Sequence, residues 1–80
     1  MKPITAQEKR VLELVSYGYS SVEIANTLGV SAHTVESHRK SLLNKMEAKN
    51  TAELMRKAFQ LRVLGIQAEA IVNHISYGAI

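Results

Sequence analysis

The connection between the second and third helical patterns of this chain is very short. The second pattern ends at Leu28, and only Gly29 and Val30 separate it from Ser31, a residue type that favours the N-cap of a helix. Gly29 can end the second helix by adopting a left-handed backbone conformation that other residues disfavour. Two helices joined by so few residues must cross at a steep angle, which restricts the chain to a few helical arrangements.

Small polar residues that favour N-caps precede four helical patterns in the sequence. Thr5, Ser20 and Asn50 are each followed three residues later by Glu, as in a capping box, whereas Ser31 has no such acidic partner. No segment alternates polar and apolar residues over the length of a strand. The sequence therefore predicts an all-α, four-helix bundle-like domain. Its helices are expected over residues 6–17, 21–28, 32–46 and 51–64.

Apolar residues recur at helical spacing within these four patterns and predict the buried faces. The expected core residues are Val11, Leu12, Val15, Val22, Ile24, Ala25, Leu28, Val35, Leu42, Met46, Leu54, Met55, Ala58, Phe59 and Leu61. Ala25 must be small because the third helix passes close over it, and Val35 fills the gap between the two helices. The spacing of Ala25, Gly29 and Val35 matches the helix-turn-helix motif.

Composition limits which kinds of protein this chain can be. Eighty residues with 46% hydrophobic side chains suffice for one small helical core, and the absence of cysteine excludes disulfides and thiolate metal sites. No apolar run reaches the roughly 18 residues of a membrane-spanning helix and no signal peptide follows Met1, so a cytoplasmic protein without a membrane partner is expected. The net charge of +3 favours, without proving, a nucleic-acid partner.

The third predicted helix has one apolar face and one polar face. At about 100° per residue, Leu42 and Met46 fall within about 20° of Val35 and form the buried stripe with it. The opposite face is short-chained and polar, with one long cation. It comprises Glu36, Ser37, Lys40, Ser41 and Asn44. Such a surface suits contact with base edges in the major groove of DNA, although a solvated helix face has the same composition.

Several segments together resemble the LuxR/FixJ/NarL type of helix-turn-helix domain. The matching stretches are residues 4–15, 18, 23–25, 28–31, 34–39 and 45–46. The most specific part is Ser-x-x-Thr-Val-x-x-His from Ser31 to His38, followed by Lys45 and Met46. The resemblance covers residues 4–62. It implies a four-helix DNA-binding domain of a bacterial transcriptional regulator, which places its third helix, residues 32–46, in the major groove and usually binds as a dimer through the fourth helix.

Two positions depart from the family pattern. Gln7 and Thr51 stand where relatives usually carry Arg, so any phosphate contact made by the second Arg is missing here. Most members of the family also carry a receiver or ligand-binding domain. These eighty residues contain neither, so no small-molecule site is expected in this chain. The DNA-binding domain is expected over residues 1–64. Residues 65–80 are predicted to be a helical C-terminal extension that either covers the core or assists dimerisation.

The resemblance places base contacts on the polar face of the third helix. They are predicted for Glu36, Ser37, Lys40 and Asn44. Lys40 can donate to guanine O6 and N7, and Glu36 can accept from cytosine N4. For Glu36, a charge that repels phosphate or complements the helix dipole is an equally weighted alternative. Ser37 and Asn44 contact bases directly or through water, or else face solvent.

Phosphate contacts are predicted on the flanks and at the start of the third helix. They are assigned to Ser31, His33, Thr34, His38, Arg39 and Lys45. The first three lie where free N–H groups attract an anion, but a pure cap explains Ser31 slightly better and packing is open for Thr34. His38 is equally explained as a packed, hydrogen-bonded residue. Arg39 lies about 40° from Val35, so its stem is expected to be buried and its head paired with a carboxylate or phosphate.

The predicted partners are double-stranded DNA and a second copy of the chain, with RNA polymerase as a further candidate. Dimer contacts are assigned to Leu54, Met55, Ala58 and Leu61.

One alternative function is that of a promoter-recognition domain like region 4 of sigma factors, which shares the opening Thr-x-x-Glu and the Glu-Ile-Ala motif. Another is a protein-contact module that has lost DNA binding, since Lys40 is the one strong cation at the centre of the polar face. No catalytic, cofactor or metal site is expected, because the chain lacks a nucleophile constellation, a glycine-rich phosphate loop and clustered ligands.

Overall fold

A computed structural model describes residues 2–61 of the chain. In this range the backbone forms four helices and no strands, which confirms the all-α prediction. They are α1 (Ala6–Ser16), α2 (Ser21–Leu28), α3 (Ala32–Lys45) and α4 (Thr51–Gln60).

The observed helix ends differ from the predicted ones by a few residues. Tyr17 and Met46, expected as the last residues of α1 and α3, are instead their C-caps, and Leu61 is the C-cap of α4. The predicted continuation of the fourth helix to residue 64 and the helical extension over residues 65–80 lie outside the described residues. Within residues 2–61, no helix has both the length and the apolar character needed to cross a membrane.

The predicted N-caps start all four helices. Thr5 and Ser20 form complete capping boxes, and Ser31 accepts from the third residue of its helix. The predicted box at Asn50 is half wrong: its side chain accepts from the Glu53 N–H at 2.8 Å, but the Glu53 carboxylate accepts from the N–H of residue 49. The φ of Asn50 is −157°, against −74° at Thr5 and Ser20, and this difference rotates the amide that precedes the helix.

The four helices enclose one apolar core in which α3 is central. The buried apolar residues are Val11, Leu12, Val15, Ile24, Ala25, Val35, Leu42, Met46, Leu54 and Ala58. Gly29 ends α2 with φ 70° and ψ 35°, and the N–H of Val30 donates to the Ala25 carbonyl at 3.0 Å. This left-handed cap ends α2 and leads the chain into α3, where Val35 is fully buried in the core.

Two of the predicted core residues are on the surface. Val22 is 61% exposed and Leu61 is 52% exposed. Val22 lies about 200° around α2 from the buried Ile24, so the two side chains cannot share a face. Leu61 was expected inside the fourth helix and is instead its C-cap, one residue past the end of α4.

Candidate nucleic-acid interface

Helix α3 is held to the domain along one stripe and is exposed along the opposite one. Val35, Leu42 and Met46 are at most 3% exposed. Four exposed residues lie about 140–200° around the helix from Val35, at spacings of four, three and four residues. They are His33, Ser37, Lys40 and Asn44. This exposed stripe contains three of the four predicted base-contact residues and adds His33, which had been predicted to contact phosphate.

The charge on the exposed stripe comes from one lysine. Lys40 is exposed and has no hydrogen-bond or ion-pair partner among residues 2–61. Its ammonium group therefore remains available to an external acceptor. Ser37 and Asn44 are likewise exposed without partners in the described range, so the stripe presents one cation flanked by neutral donors and acceptors.

On the side of α3 that faces α1, two polar residues are engaged within the domain. Lys45 Nζ donates to Glu8 Oε1 at 2.7 Å, and Ser41 Oγ donates to Glu8 Oε2 at 2.6 Å. The Thr5 N–H adds a third hydrogen bond to the same carboxylate at 2.9 Å. Ser41 therefore belongs to the α1 contact and not to the exposed face. Lys45 was predicted to contact phosphate, but its ammonium group is already paired with Glu8, so a phosphate would have to compete with that carboxylate.

Glu8 is a buried carboxylate, 4% exposed, at the centre of this network. Burial alone would raise its pKa, but the hydrogen bonds from Lys45, Ser41 and Thr5, with the charge of Lys45, outweigh that effect and lower the pKa from 4.5 to about 2. Glu8 is therefore ionised at neutral pH and fixes α3 against α1. From the sequence, Glu8 had been assigned a role in the capping box alone. The missed signal was its register, since it precedes Val11, Leu12 and Val15 by three, four and seven residues.

On the side of α3 that faces α2, the predicted base-contact residue Glu36 has a partner. The hydroxyl of Ser21, the first residue of α2, donates to Glu36 Oε1. Glu36 lies about 100° around α3 from Val35, between the buried stripe and the exposed stripe. Sequence reasoning did not single out Ser21, because nothing local relates two residues that are 15 positions apart.

Some of the polar side chains at the start of α3 and on its outer flank make hydrogen bonds within the domain. Ser31 Oγ accepts from the Thr34 N–H at 3.1 Å and lies 3.0 Å from the Thr34 hydroxyl, which confirms the cap. Arg39 Nη2 donates to Thr51 Oγ1 at 3.4 Å, so its head reaches α4, not a carboxylate. His38 is half-buried and has no hydrogen-bond partner within the described residues. The phosphate-contact roles predicted for these residues remain predictions.

Helix α4 cannot present all of the residues assigned to a dimer contact. Leu54 is 2% exposed and Ala58 is fully buried, because both pack into the core of their own domain. These two assignments are therefore corrected. Met55 is half-buried and Leu61 is exposed. Lys57 ties α4 to the end of α3, because its Nζ donates to the carbonyl of residue 47 at 2.6 Å.

The short turn at Gly29 between α2 and α3, the buried small residue Ala25 and the exposed polar stripe on α3 define a helix-turn-helix domain of the DNA-binding kind. Residues 2–58 match the family described as bacterial regulatory proteins, luxR family. The chain therefore belongs to the luxR family of bacterial regulatory proteins, which are DNA-binding transcription regulators. This confirms the resemblance seen in the sequence.

Individual proteins similar to this chain include named transcriptional regulators. Transcriptional regulatory protein MctR of Rhizobium johnstonii is 45% identical over 56 residues, which are 70% of this chain and 26% of MctR. Transcriptional regulatory protein UhpA of Escherichia coli K12 is 40% identical over 57 residues, which are 71% of this chain and 29% of UhpA. This chain thus spans less than a third of the length of these relatives.

One solved structure similar to this chain is the response regulator ChrA of a heme-sensing two-component system. The TM-score is 0.74 and the identity is 25%, over 79% of this chain and 31% of that chain. The likeness confirms the helical architecture described above.

Proposed function

We propose that this domain binds DNA sequence-specifically by inserting α3 into the major groove. The observation that carries the proposal is the exposed stripe of α3 formed by His33, Ser37, Lys40 and Asn44. An α-helix fits the major groove, and side chains of these types can donate to and accept from base edges. Contacts with α1, α2 and α4 support the helix from behind, so that its direction is fixed before DNA is bound.

Lys40 is the residue we assign to the strongest base contact. It is the exposed and unpaired cation of α3, and guanine offers O6 and N7 as acceptors in the major groove. Ser37 and Asn44 extend the contact along the helix. His33, one turn before Ser37, lies close enough to the helix start to meet either a base edge or the phosphate beside it. Arg39 and His38 lie off this stripe and are proposed as backbone contacts.

A second copy of the domain is part of the proposal. One free cation on α3 neutralises few phosphates, and tight binding at physiological salt needs several. Two domains on adjacent half-sites double the contacts. With Leu54 and Ala58 buried, the proposed dimer contact is the flank of α4 with Met55 and Phe59, both half-buried. The exposed Leu61 at the end of α4 remains assigned to the contact. As part of a bacterial transcription regulator, the domain would act in the cytoplasm, with RNA polymerase as a further candidate partner.

Selection from a library of random duplexes tests the proposal. A chain that uses α3 in this way enriches a two-part site and binds it less tightly as salt rises, by about 0.9 in the log–log slope per neutralised phosphate. Lys40→Ala is expected to weaken binding to the selected site by about 1–3 kcal/mol and to relax one base preference. Arg10→Ala, which removes another exposed cation, this one from α1, is the matched control.

Three results would count against parts of this proposal. Binding that does not change with salt would exclude DNA as the partner. An equal loss on selected and random duplexes in Lys40→Ala would reduce Lys40 to a phosphate contact. Co-purification with RNA polymerase, without any selected duplex site, would favour a promoter-recognition role through a protein complex.

A further inference from the structure

The hydroxyl of Ser21 connects the two helices of the motif, α2 and α3, at a point beside the exposed stripe of α3. Ser21 is the first residue of α2 and is half-buried. Its neighbour Ser20 and Glu23 satisfy each other in the capping box, so Ser21 is not needed to cap the helix. Its side chain instead donates to Glu36 Oε1 across 15 residues of sequence. Glu36 is the one acidic residue of α3, and this hydrogen bond from α2 holds its carboxylate in place.

A hydrogen bond to one oxygen of a carboxylate restricts the directions in which the other oxygen can accept a hydrogen bond. A free, exposed glutamate samples many rotamers, and ordering it on DNA costs side-chain entropy. With Oε1 of Glu36 occupied by Ser21, only Oε2 remains fully available. An ionised carboxylate only accepts hydrogen bonds, so it favours the amino groups of cytosine or adenine over the acceptor edges of guanine and thymine.

We infer that Ser21 is a specificity-determining residue, because it positions the Glu36 carboxylate toward a cytosine or adenine amino group in the major groove. The inference rests on the proposed insertion of α3 into that groove. Ser21 itself is a positioning residue, and Glu36 makes the contact. Removing the hydroxyl should therefore change which base is preferred at one position, and should leave the rest of the binding site unchanged.

The test compares four variants with the wild-type chain on a set of duplexes. Each base pair of the selected site is replaced in turn by the other three, and relative binding constants are measured for each duplex. The variants are Ser21→Ala, Ser21→Thr, Glu36→Ala and the double variant Ser21→Ala with Glu36→Ala. Thermal unfolding followed by circular dichroism confirms that each variant is folded at the binding temperature.

The expected result has three parts. Glu36→Ala flattens the preference at one base pair, and Ser21→Ala weakens the preference at that same base pair by about fivefold, the lower range for a base-edge contact. The double variant behaves like Glu36→Ala alone, because the hydroxyl acts through the carboxylate. Ser21→Thr, which keeps a hydroxyl at the same position, retains the wild-type preference.

Other results would overturn the inference. A uniform loss on every duplex in Ser21→Ala would make Ser21 a phosphate contact, and additive effects in the double variant would separate it from Glu36. A base preference in the wild-type chain that does not respond to Ser21→Ala overturns this inference alone. A wild-type chain without any base preference overturns the proposed function, and this inference with it.

Discussion

The buried ion pair between α1 and α3 permits a quantitative test of what holds α3 in place. Glu8 is 4% exposed and receives hydrogen bonds from Lys45, Ser41 and Thr5. Glu8→Gln keeps the size of the side chain and removes its charge. It also leaves Lys45, whose side chain is 21% exposed, free to turn toward water, so no unpaired charge is trapped inside the domain.

The size of the effect follows from the pKa of Glu8. That pKa is lowered from 4.5 to about 2 in the folded domain, and each unit corresponds to about 1.4 kcal/mol, which gives about 3 kcal/mol. Because the pKa is lowered by folding, the ionised carboxylate contributes this stability fully above pH 4.5. The contribution is lost as the pH falls through about 2, where the folded domain also binds the proton.

Urea unfolding of wild-type and Glu8→Gln domains, followed by circular dichroism, measures this contribution. The free energy of unfolding should differ by about 3 kcal/mol at pH 7 and by less than about 1 kcal/mol near pH 2. All other carboxylates are common to the two proteins, so the change in the difference isolates Glu8. A double-mutant cycle with Lys45→Met should give a coupling of about 1–2 kcal/mol.

A partly exposed pair provides the control for this test. Lys57 and Glu53 lie 3.8 Å apart with side chains 26% and 27% exposed, so Lys57→Met should show a coupling to Glu53 below about 1 kcal/mol. The reasoning is refuted if Glu8→Gln costs less than about 1 kcal/mol at pH 7, or if its cost is the same at both pH values.

Three further changes test the turn, the core and the proposed dimer contact. Gly29→Ala should lower the free energy of unfolding by about 1–2 kcal/mol, because φ is 70° and nothing lies within 4 Å of an added Cβ. A urea-unfolding loss far above that range would indicate a clash instead. Val35→Ala, at a fully buried position, should cost about 2–3 kcal/mol in the same assay, and unchanged stability would contradict its place between α2 and α3. Met55→Glu should weaken self-association in sedimentation experiments, whereas Arg56→Glu on the exposed face should not; equal behaviour of the two would argue against this flank of α4.

The fold was largely predictable because most of its determinants are local. Caps, glycine and helical spacing marked the four helices, and all of the buried apolar residues between positions 2 and 61 lie on faces predicted from the sequence. Val22 was misplaced because α2 has only eight residues, and two turns define an apolar face poorly. Leu61 has the helical spacing of Leu54 but is exposed at the C-cap of α4, so spacing alone did not predict its burial.

The candidate site was predictable only to the level of a helix face. The stripe with Ser37, Lys40 and Asn44 follows from the helical period, which the sequence displays directly. The pairing of Lys45 with Glu8 joins residues 37 positions apart, and no local pattern encodes it. Even so, a glutamate in register with the core residues of α1 requires a partner when buried, and that requirement was visible in the sequence.

These internal contacts determine how tightly one copy of the domain can bind DNA. Glu8 neutralises Lys45, and Glu36 adds a negative charge beside the exposed stripe, so Lys40 is the free ammonium group that α3 would bring to the groove in the proposed complex. The non-specific, salt-dependent part of binding grows with each neutralised phosphate and is therefore small for a single copy. In the proposed complex, base contacts made by the pre-positioned α3 would therefore account for a larger share of the binding free energy. The domain would then discriminate between DNA sequences well but bind any one of them with modest affinity. In the proposed dimer, occupancy of a site would depend on a second copy, so the strength of the proposed α4 contact would set the concentration at which the domain occupies its site.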